Sequence, residues 1–373
     1  MKEIKEKLTL ITKIWNDFIL ESRYCQSKIN YTKEVKSNYY GDLMFYLSDT
    51  FELIKFNSIQ NNLQEEIFES TSVLQLIYVH QDLIEELLYI FKFDKGKILA
   101  DCPYRKHNRD LRNELIGHPI RRNKSEGNKL VSSVLFEPRP ELGKLEYIIY
   151  SSKNNFRGKE KSYLKDEIIS NHKLFLNKFF DIILDKLKAI LIDYLKEHEK
   201  FFDTIIQKLP VPKLVPYLEC KFEYVFNTRT LSKPTEIIEL FELKDENPRF
   251  EYALNEFIRS FEISMLYKII SIHEITKLNA DPKHQEKLDN LIDADERVNI
   301  DLRNQENNLG YKLSKLIERH PVFKIDGFKR EFANSALIIE ELDFMEENFS
   351  NDTKYKSGWL TLKKMISEMN ASH

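Results

Sequence analysis

Leu176-Asn177-Lys178-Phe179-Phe180-Asp181-Ile182-Ile183-Leu184-Asp185-Lys186-Leu187-Lys188-Ala189-Ile190-Leu191-Ile192-Asp193-Tyr194 sets Leu176, Phe180, Ile183, Leu187, Ile190 and Tyr194 at alternating steps of four and three. That spacing gathers one apolar stripe on one side of a helix, a coiled-coil-like seam. The seam sits in a stretch from about Tyr163 to Leu209 that has almost no helix breakers. The stretch therefore reads as one long helix, its seam packed inside its own chain rather than used as a dimerisation coil. Working outward, helical periodicity recurs over Leu8–Glu21, over Asp42–Phe56, and over Leu63–Phe93, a central buried helix closed by Asp94-Lys95-Gly96-Lys97. One strand pair interrupts the helices, Lys129–Phe136 and Leu145–Tyr150, flanking a turn that contains Pro and Gly. The expected fold is mainly α: a helical bundle with one β-hairpin insertion, followed by a second, mostly helical domain.

Pro210, Pro212 and Pro216 mark the expected domain boundary. This predicts a helical domain over 1–208 with its hairpin near 129–151, a Pro-rich linker over 209–216, and a C-terminal domain over 217–373. In the latter, Lys221–Phe226 reads as a short strand. Helical patterns follow near 234–243, 249–278, 281–297, 304–319, 329–347 and 358–370. No Gly-rich loop, metal cluster or nucleophile elbow appears there, and its role stays open. Asp301-Leu302-Arg303-Asn304 echoes Asp110-Leu111-Arg112-Asn113, with Tyr311 near the place of a histidine. Chance accounts for four residues more readily than a decayed duplication.

With 373 residues the chain is long enough for two domains with sizeable cores. A formal net charge of -3 excludes a generically basic nucleic-acid coat but permits a local basic groove. The N-terminus alternates charges without a signal-peptide core, and no apolar run spans a bilayer. Cys25, Cys102 and Cys220 are scattered and lack metal-ligand spacing. These features predict a cytoplasmic protein with reduced thiols, no cofactor and no membrane partner.

The chemistry concentrates in Leu111-Arg112-Asn113-Glu114-Leu115-Ile116-Gly117-His118-Pro119. Tyr104 to Ser125 carries Arg105, Lys106, Arg109, Arg112, Arg121, Arg122 and Lys124 against Asp110 and Glu114. A helix starting after Pro103 would stop at Gly117 and Pro119, leaving Arg112 and His118 at its end. Metal-free cleavage of RNA needs a base for the 2′-hydroxyl proton, an acid for the leaving oxygen, and cations for the phosphorane. An imidazole, which ordinarily titrates near pH ~6.5, suits either proton role, and His118 supplies one. Arg112 offers a bidentate fork, and Asn113 can orient substrate or imidazole. One protomer then supplies one such histidine, and a two-fold contact would bring a second. Arg105, Arg109, His107, Arg121 and Arg122 are the candidate substrate contacts, with Lys124 beside them. Of these, His107 reads more readily as a solvated residue at the helix start than as a substrate contact. His172, His198, His273, His284 and His320 show no metal-ligand grouping along the sequence, so no metal is expected.

Leu-Arg-Asn-x-x-x-Gly-His-Pro near a helix end resembles the signature of the HEPN superfamily. The specific likeness covers about nine residues within the first ~208. The resemblance implies an α-helical bundle, a metal-independent endoribonuclease leaving 2′,3′-cyclic phosphates, and a homodimeric composite site. In it Arg112 and His118 would be catalytic and Asn113 the polar residue beside the arginine. It also implies RNA as substrate and a toxin–antitoxin or anti-phage setting, with an antitoxin or second defence component as partner.

Two other readings stand beside it. The same residues would serve a non-catalytic module that binds RNA, a nucleotide or a protein. Alternatively, a structural helical protein simply places cations at a helix C-terminus, where they favour the dipole, with Glu114 and His118 as an ordinary i,i+4 pair.

Overall fold

The computed structural model describes residues 2–56, 63–123, 127–135, 143–152, 155–206, 234–296, 309–319 and 325–371. Fourteen α-helices and one four-stranded antiparallel sheet form the regular structure among them, so the chain is mainly α. It divides into two compact units, Met1–Ile190 and Leu191–His373. The expected linker at 209–216, the strand at Lys221–Phe226 and the echo at Asp301–Asn304 lie outside the described residues.

In the first unit α1 (Lys2–Ile14) runs into a π-helical turn, and α2 (Arg23–Ser27) and α3 (Tyr40–Thr50) follow. Trp15 stacks on Tyr40 with ring centroids 3.7 Å apart, and Phe91 meets both rings edge-on. The central helix α4 (Leu63–Ile90) buries Val73, Leu74, Ile77, Ile84, Leu87 and Leu88. Each such side chain contributes roughly 1.5–3 kcal/mol of transfer free energy, which holds this helix in the core. The short α5 (Lys95–Ala100) leads into α6 (Pro103–Arg112), which opens with proline at its first position.

The sheet is a meander in the order β1 (Ile120–Asn123), β2 (Lys129–Leu135), β3 (Lys144–Ser151) and β4 (Lys159–Leu164). The expected hairpin is β2–β3, with Ser133 opposite Ile149. It gains a strand at each edge. Ile-Arg-Arg-Asn and Lys-Glu-Lys-Ser-Tyr-Leu are too polar to announce strands, because charged edge strands face water rather than core. Leu145 and Tyr147, alternate residues of β3, turn inward against Leu74, Ile77, Leu111 and Ile168.

Helix α7 (Lys165–Ile206) begins two residues later than the periodicity predicts, since Tyr163 and Leu164 close β4. All six seam residues from Leu176 to Tyr194 are buried within the single chain. Buried polar pairs accompany this packing. Lys165 lies 3.0 Å from Glu66, and His80 Nδ1 lies 3.2 Å from His172 Nε2 with Thr50 Oγ1 2.7 Å from the other ring nitrogen. Burial pushes the His80 imidazole down to about 4 and His172 well below its ordinary range, so both are neutral at neutral pH.

The described part of the second unit is helical throughout: α8 (Pro234–Leu243), α9 (Pro248–Thr276), α10 (Pro282–Glu296), α11 (Leu309–Ile317), α12 (Ile325–Glu331), α13 (Ala336–Glu347) and α14 (Asp352–Ala371). The single helix expected over 329–347 is two, because the chain turns at 332–335. Asn247 caps α9 by accepting the Arg249 N–H at 3.0 Å. Leu313, Leu316, Phe328, Ile338, Leu342, Met345, Tyr355 and Leu362 form a core, and Tyr355 and Trp359 donate to the carbonyls of Leu316 and Leu313, each at 2.8 Å. Cys25 and Cys102 are buried and form no disulfide, while Cys220 lies outside the described residues. No described helix is long and apolar enough to cross a membrane.

Candidate functional site

Helix α6 has two working faces. Arg105, Arg109 and Arg112 follow one another at steps of four and three, and α4 answers with Gln75, Tyr78, Asp82 and Glu85 at steps of three, four and three. Arg105 pairs with Glu85. Arg109 lies 2.9 Å from Asp82 and 3.6 Å from Glu85, and donates to the Tyr78 hydroxyl at 2.9 Å. Arg112 donates through Nε and Nη2 to Gln75 Oε1 at 3.1 and 3.0 Å. The guanidinium carbons of Arg109 and Arg112 each stand 4.2 Å from the Tyr78 ring centroid, a double cation–π contact. Arg105 and Arg109, expected as substrate contacts, are thus committed to the neighbouring helix. Arg112 shares their side.

The other face opens on a cleft of about 630 Å³. Lys106, His107, Asp110, Asn113, Glu114 and His118 line it, together with Arg121 and with Lys161 and Tyr163 from β4. Helix α6 does not stop cleanly. It widens into a π turn over Asn113–Gly117, closed by the His118 N–H on the Asn113 carbonyl at 2.8 Å. His118 leaves the helix with φ −143° and ψ 59°, exposed at the cleft. Pro119 then accepts the Ser133 N–H at 2.7 Å and docks the chain onto β2.

Gly117 lets the Arg112 side chain lie against the end of the helix. From there Nη1 donates to Asn113 Oδ1 at 3.1 Å. Arg112 therefore reaches the cleft only through Asn113.

Glu114 does not pair with His118. Its carboxylate accepts from Arg121 at 3.0 Å, Lys161 at 2.8 Å and the Tyr147 hydroxyl at 2.5 Å. Burial opposes its ionisation, but Lys161, Tyr147 and Arg121 outweigh that cost and hold the carboxyl below its usual range. Burial, with the Glu114 charge, pushes the Tyr147 phenol far up. Lys106 is bound to Asp110 at 2.5 Å. The cleft thus carries three cations against two carboxylates, a weaker excess than the sequence segment implies.

His107 is a cleft residue rather than a solvated helix-start residue. Its ring meets Tyr163 edge-on at 5.5 Å, and its Nε2 is buried without a hydrogen-bond partner. Arg121 lies on β1, donating also to the His118 carbonyl at 3.1 Å. Arg122, on the same strand, is exposed, bonds the Asn128 carbonyl at 3.4 Å and does not line the cleft. Lys124 lies outside the described residues. Lys161 and Tyr163 escaped the sequence reading. Their signal is the alternation within Lys159–Leu164, which puts both on one side of a strand.

In the second unit, residues with no metal-ligand spacing along the sequence come together: one ligand atom from each of Glu199, His273 and His284 lies within 4.8 Å of the others. The three come together because α7, the end of α9 and the start of α10 meet there, a convergence no local spacing displays.

No family model matches the chain, and neither does any curated protein or solved structure.

Proposed function

We propose that the cleft around His118 is the active site of a metal-independent endoribonuclease of HEPN type. The observation that carries this reading is that two histidines, His107 and His118, line one cleft beside Lys106, Arg121 and Lys161. In-line attack of the 2′-hydroxyl on the adjacent phosphate forms the cyclic phosphodiester and expels the 5′-oxygen. One imidazole takes the hydroxyl proton while the other, protonated, returns one to the leaving oxygen. The ammonium and guanidinium groups face the equatorial oxygens as charge builds. Asn113 orients the scissile group, and Arg112 is a positioning residue acting through Asn113. Because His107 stands in the cleft, the proton count closes within one protomer, and the homodimer implied by the resemblance becomes a question of regulation. A cytoplasmic toxin or anti-phage effector, held by an antitoxin or second defence component, belongs to the same proposal.

The test is incubation of full-length protein with single-stranded RNA in EDTA. Cleavage with cyclic phosphate ends is expected, lost in His118→Ala and reduced in His107→Ala. Undiminished cleavage by His118→Ala overturns the proposal. In bacteria, growth arrest by wild type and none by His118→Ala is the matching phenotype.

A second reading, a non-catalytic RNA-, nucleotide- or protein-binding module, draws support from the commitment of Arg105, Arg109 and Arg112 to α4. Tight RNA binding without turnover at stoichiometric protein selects it.

A further inference from the structure

We propose that Glu199, His273 and His284 bind a single divalent transition-metal cation of the zinc class. Helix α9 ends at Thr276, where Lys277 takes a left-handed conformation with φ 59°. A short turn then leads to Pro282 and α10. His273 lies in the last turn of α9 and His284 in the first turn of α10, so this helical hairpin brings the two imidazoles close together. Helix α7 brings Glu199 against them, its carboxylate 3.4 Å from His273 Nε2.

Two observations point to a ligand. The donor atoms lie within 4.8 Å of one another. Tetrahedral bonds of about 2.0–2.1 Å put neighbouring donors about 3.4 Å apart, within reach of small side-chain rotations. Independently, both ring nitrogens of His273 and Nδ1 of His284 are buried without hydrogen-bond partners. Buried polar atoms are normally satisfied, and an imidazole nitrogen facing a carboxylate and a second imidazole is satisfied by a cation.

The donor set fixes the class of ion. Two imidazoles and one carboxylate suit zinc and its first-row neighbours, whereas magnesium and calcium prefer all-oxygen shells. Three protein ligands leave a further position, and the Glu199 side chain, 36% exposed, gives it a route to solvent. Lys287 on α10, three residues beyond His284, pairs with Glu262 at 3.3 Å and lies over the Phe202 ring, so its charge is already balanced.

The experiment is calorimetric titration of ZnCl₂ into untagged full-length protein dialysed against EDTA and then metal-free buffer. Co²⁺ absorption serves as a spectroscopic probe of nitrogen and oxygen ligation. One equivalent per chain is expected, with a dissociation constant of about 1 μM or tighter. His273→Ala and His284→Ala should each weaken it by ~100-fold or more, and Glu199→Gln by ~10-fold or more, if ligands matter at least as much as the groups that orient them. His284→Ala, in the first turn of its helix and only partly buried, keeps the test valid if His273→Ala misfolds, and far-ultraviolet circular dichroism reports which has happened. Absence of zinc binding by wild type overturns the proposal, as does binding that is unchanged in folded His284→Ala. RNA cleavage in EDTA reads the other unit, so the two proposals fail separately.

Discussion

The guanidinium of Arg112 lies directly over Gly117: a Cβ at that glycine would stand 2.5 Å from Arg112 Nη1 and 3.3 Å from Asn113 Oδ1. Gly117→Ala therefore displaces a flexible side chain rather than backbone. Alanine gains up to ~1 kcal/mol of helix propensity, while loosening the bonds to Gln75 and Asn113 costs about as much. Thermal unfolding is expected within about 1 kcal/mol of wild type. RNA turnover should nonetheless fall by about 10²-fold, since a displacement of this size at a positioning group is costly. Arg112→Ala should give the same loss. Unchanged turnover in both variants would make Arg112 a purely structural residue.

Glu114 anchors the cleft floor, and Glu114→Gln removes the charge that Lys161, Arg121 and Tyr147 converge on. The expected loss is about 1–3 kcal/mol in urea denaturation at neutral pH. Its pH dependence has a definite sign. The folded carboxyl ionises below its unfolded range, so its stabilisation is complete above pH ~4.5 and disappears as pH falls through the folded value. Wild type and variant should converge in acid. With one negative charge fewer in the cleft, the variant should also bind a non-cleavable oligonucleotide more tightly and with a steeper salt dependence.

The neutral pair His80–His172 makes the first unit acid-sensitive. Unfolded histidines protonate near pH ~6.5 but His80 in the fold only near 4, so the unfolded state binds more protons between those values. Stability is full above pH ~6.5 and is lost as pH falls toward 4, at about 1.4 kcal/mol per pH unit for His80, with His172 acting in the same direction. His172→Phe, which keeps a ring beside Phe175, should flatten that slope in urea titrations across the window. Glu341, pushed up to about 7 by burial, works in the opposite direction but is common to both proteins. An identical slope in both would place the acid sensitivity elsewhere.

Gly358 sits inside α14 where a Cβ would meet Met345 Cγ at 2.6 Å, Phe344 Cδ1 at 3.1 Å and Glu341 Oε1 at 3.2 Å. Met345 is fully buried, and Arg249 stacks on the Phe344 ring at 3.6 Å while holding Glu341 at 3.1 Å. Overpacking of about 1–3 kcal/mol exceeds the ~1 kcal/mol that alanine gains as a helix former. Gly358→Ala should lower the thermal midpoint by a few degrees. A raised midpoint would show that Met345 can give way.

The helices were legible wherever an apolar stripe repeats locally: the Leu176–Tyr194 seam is buried as its spacing predicts, and so is the apolar face of α4. The inner strands were legible because two runs rich in Val, Leu, Ile and Tyr flank a turn that contains Pro and Gly. The outer strands were not, since Ile120–Asn123 and Lys159–Leu164 earn their conformation from pairing with β2 and β3 rather than from their own residues. The same gap runs through the site. Arg112, Asn113 and His118 stood out as a motif, but nothing local separates arginines that will meet Asp82 and Glu85 from cations that will face a cleft.

The sequence by itself determined the mainly α character, the position of the inner hairpin and the helix end at Gly117-His118-Pro119, because each follows from periodicity or backbone preference within a few residues. Only the tertiary structure decided which face of α6 carries free chemistry, that His107 and His118 share a cleft with Lys161 and Tyr163, and that Glu199 meets His273 and His284. Those groupings depend on which distant helices and strands pack together, and packing is settled by the whole core rather than by any one segment.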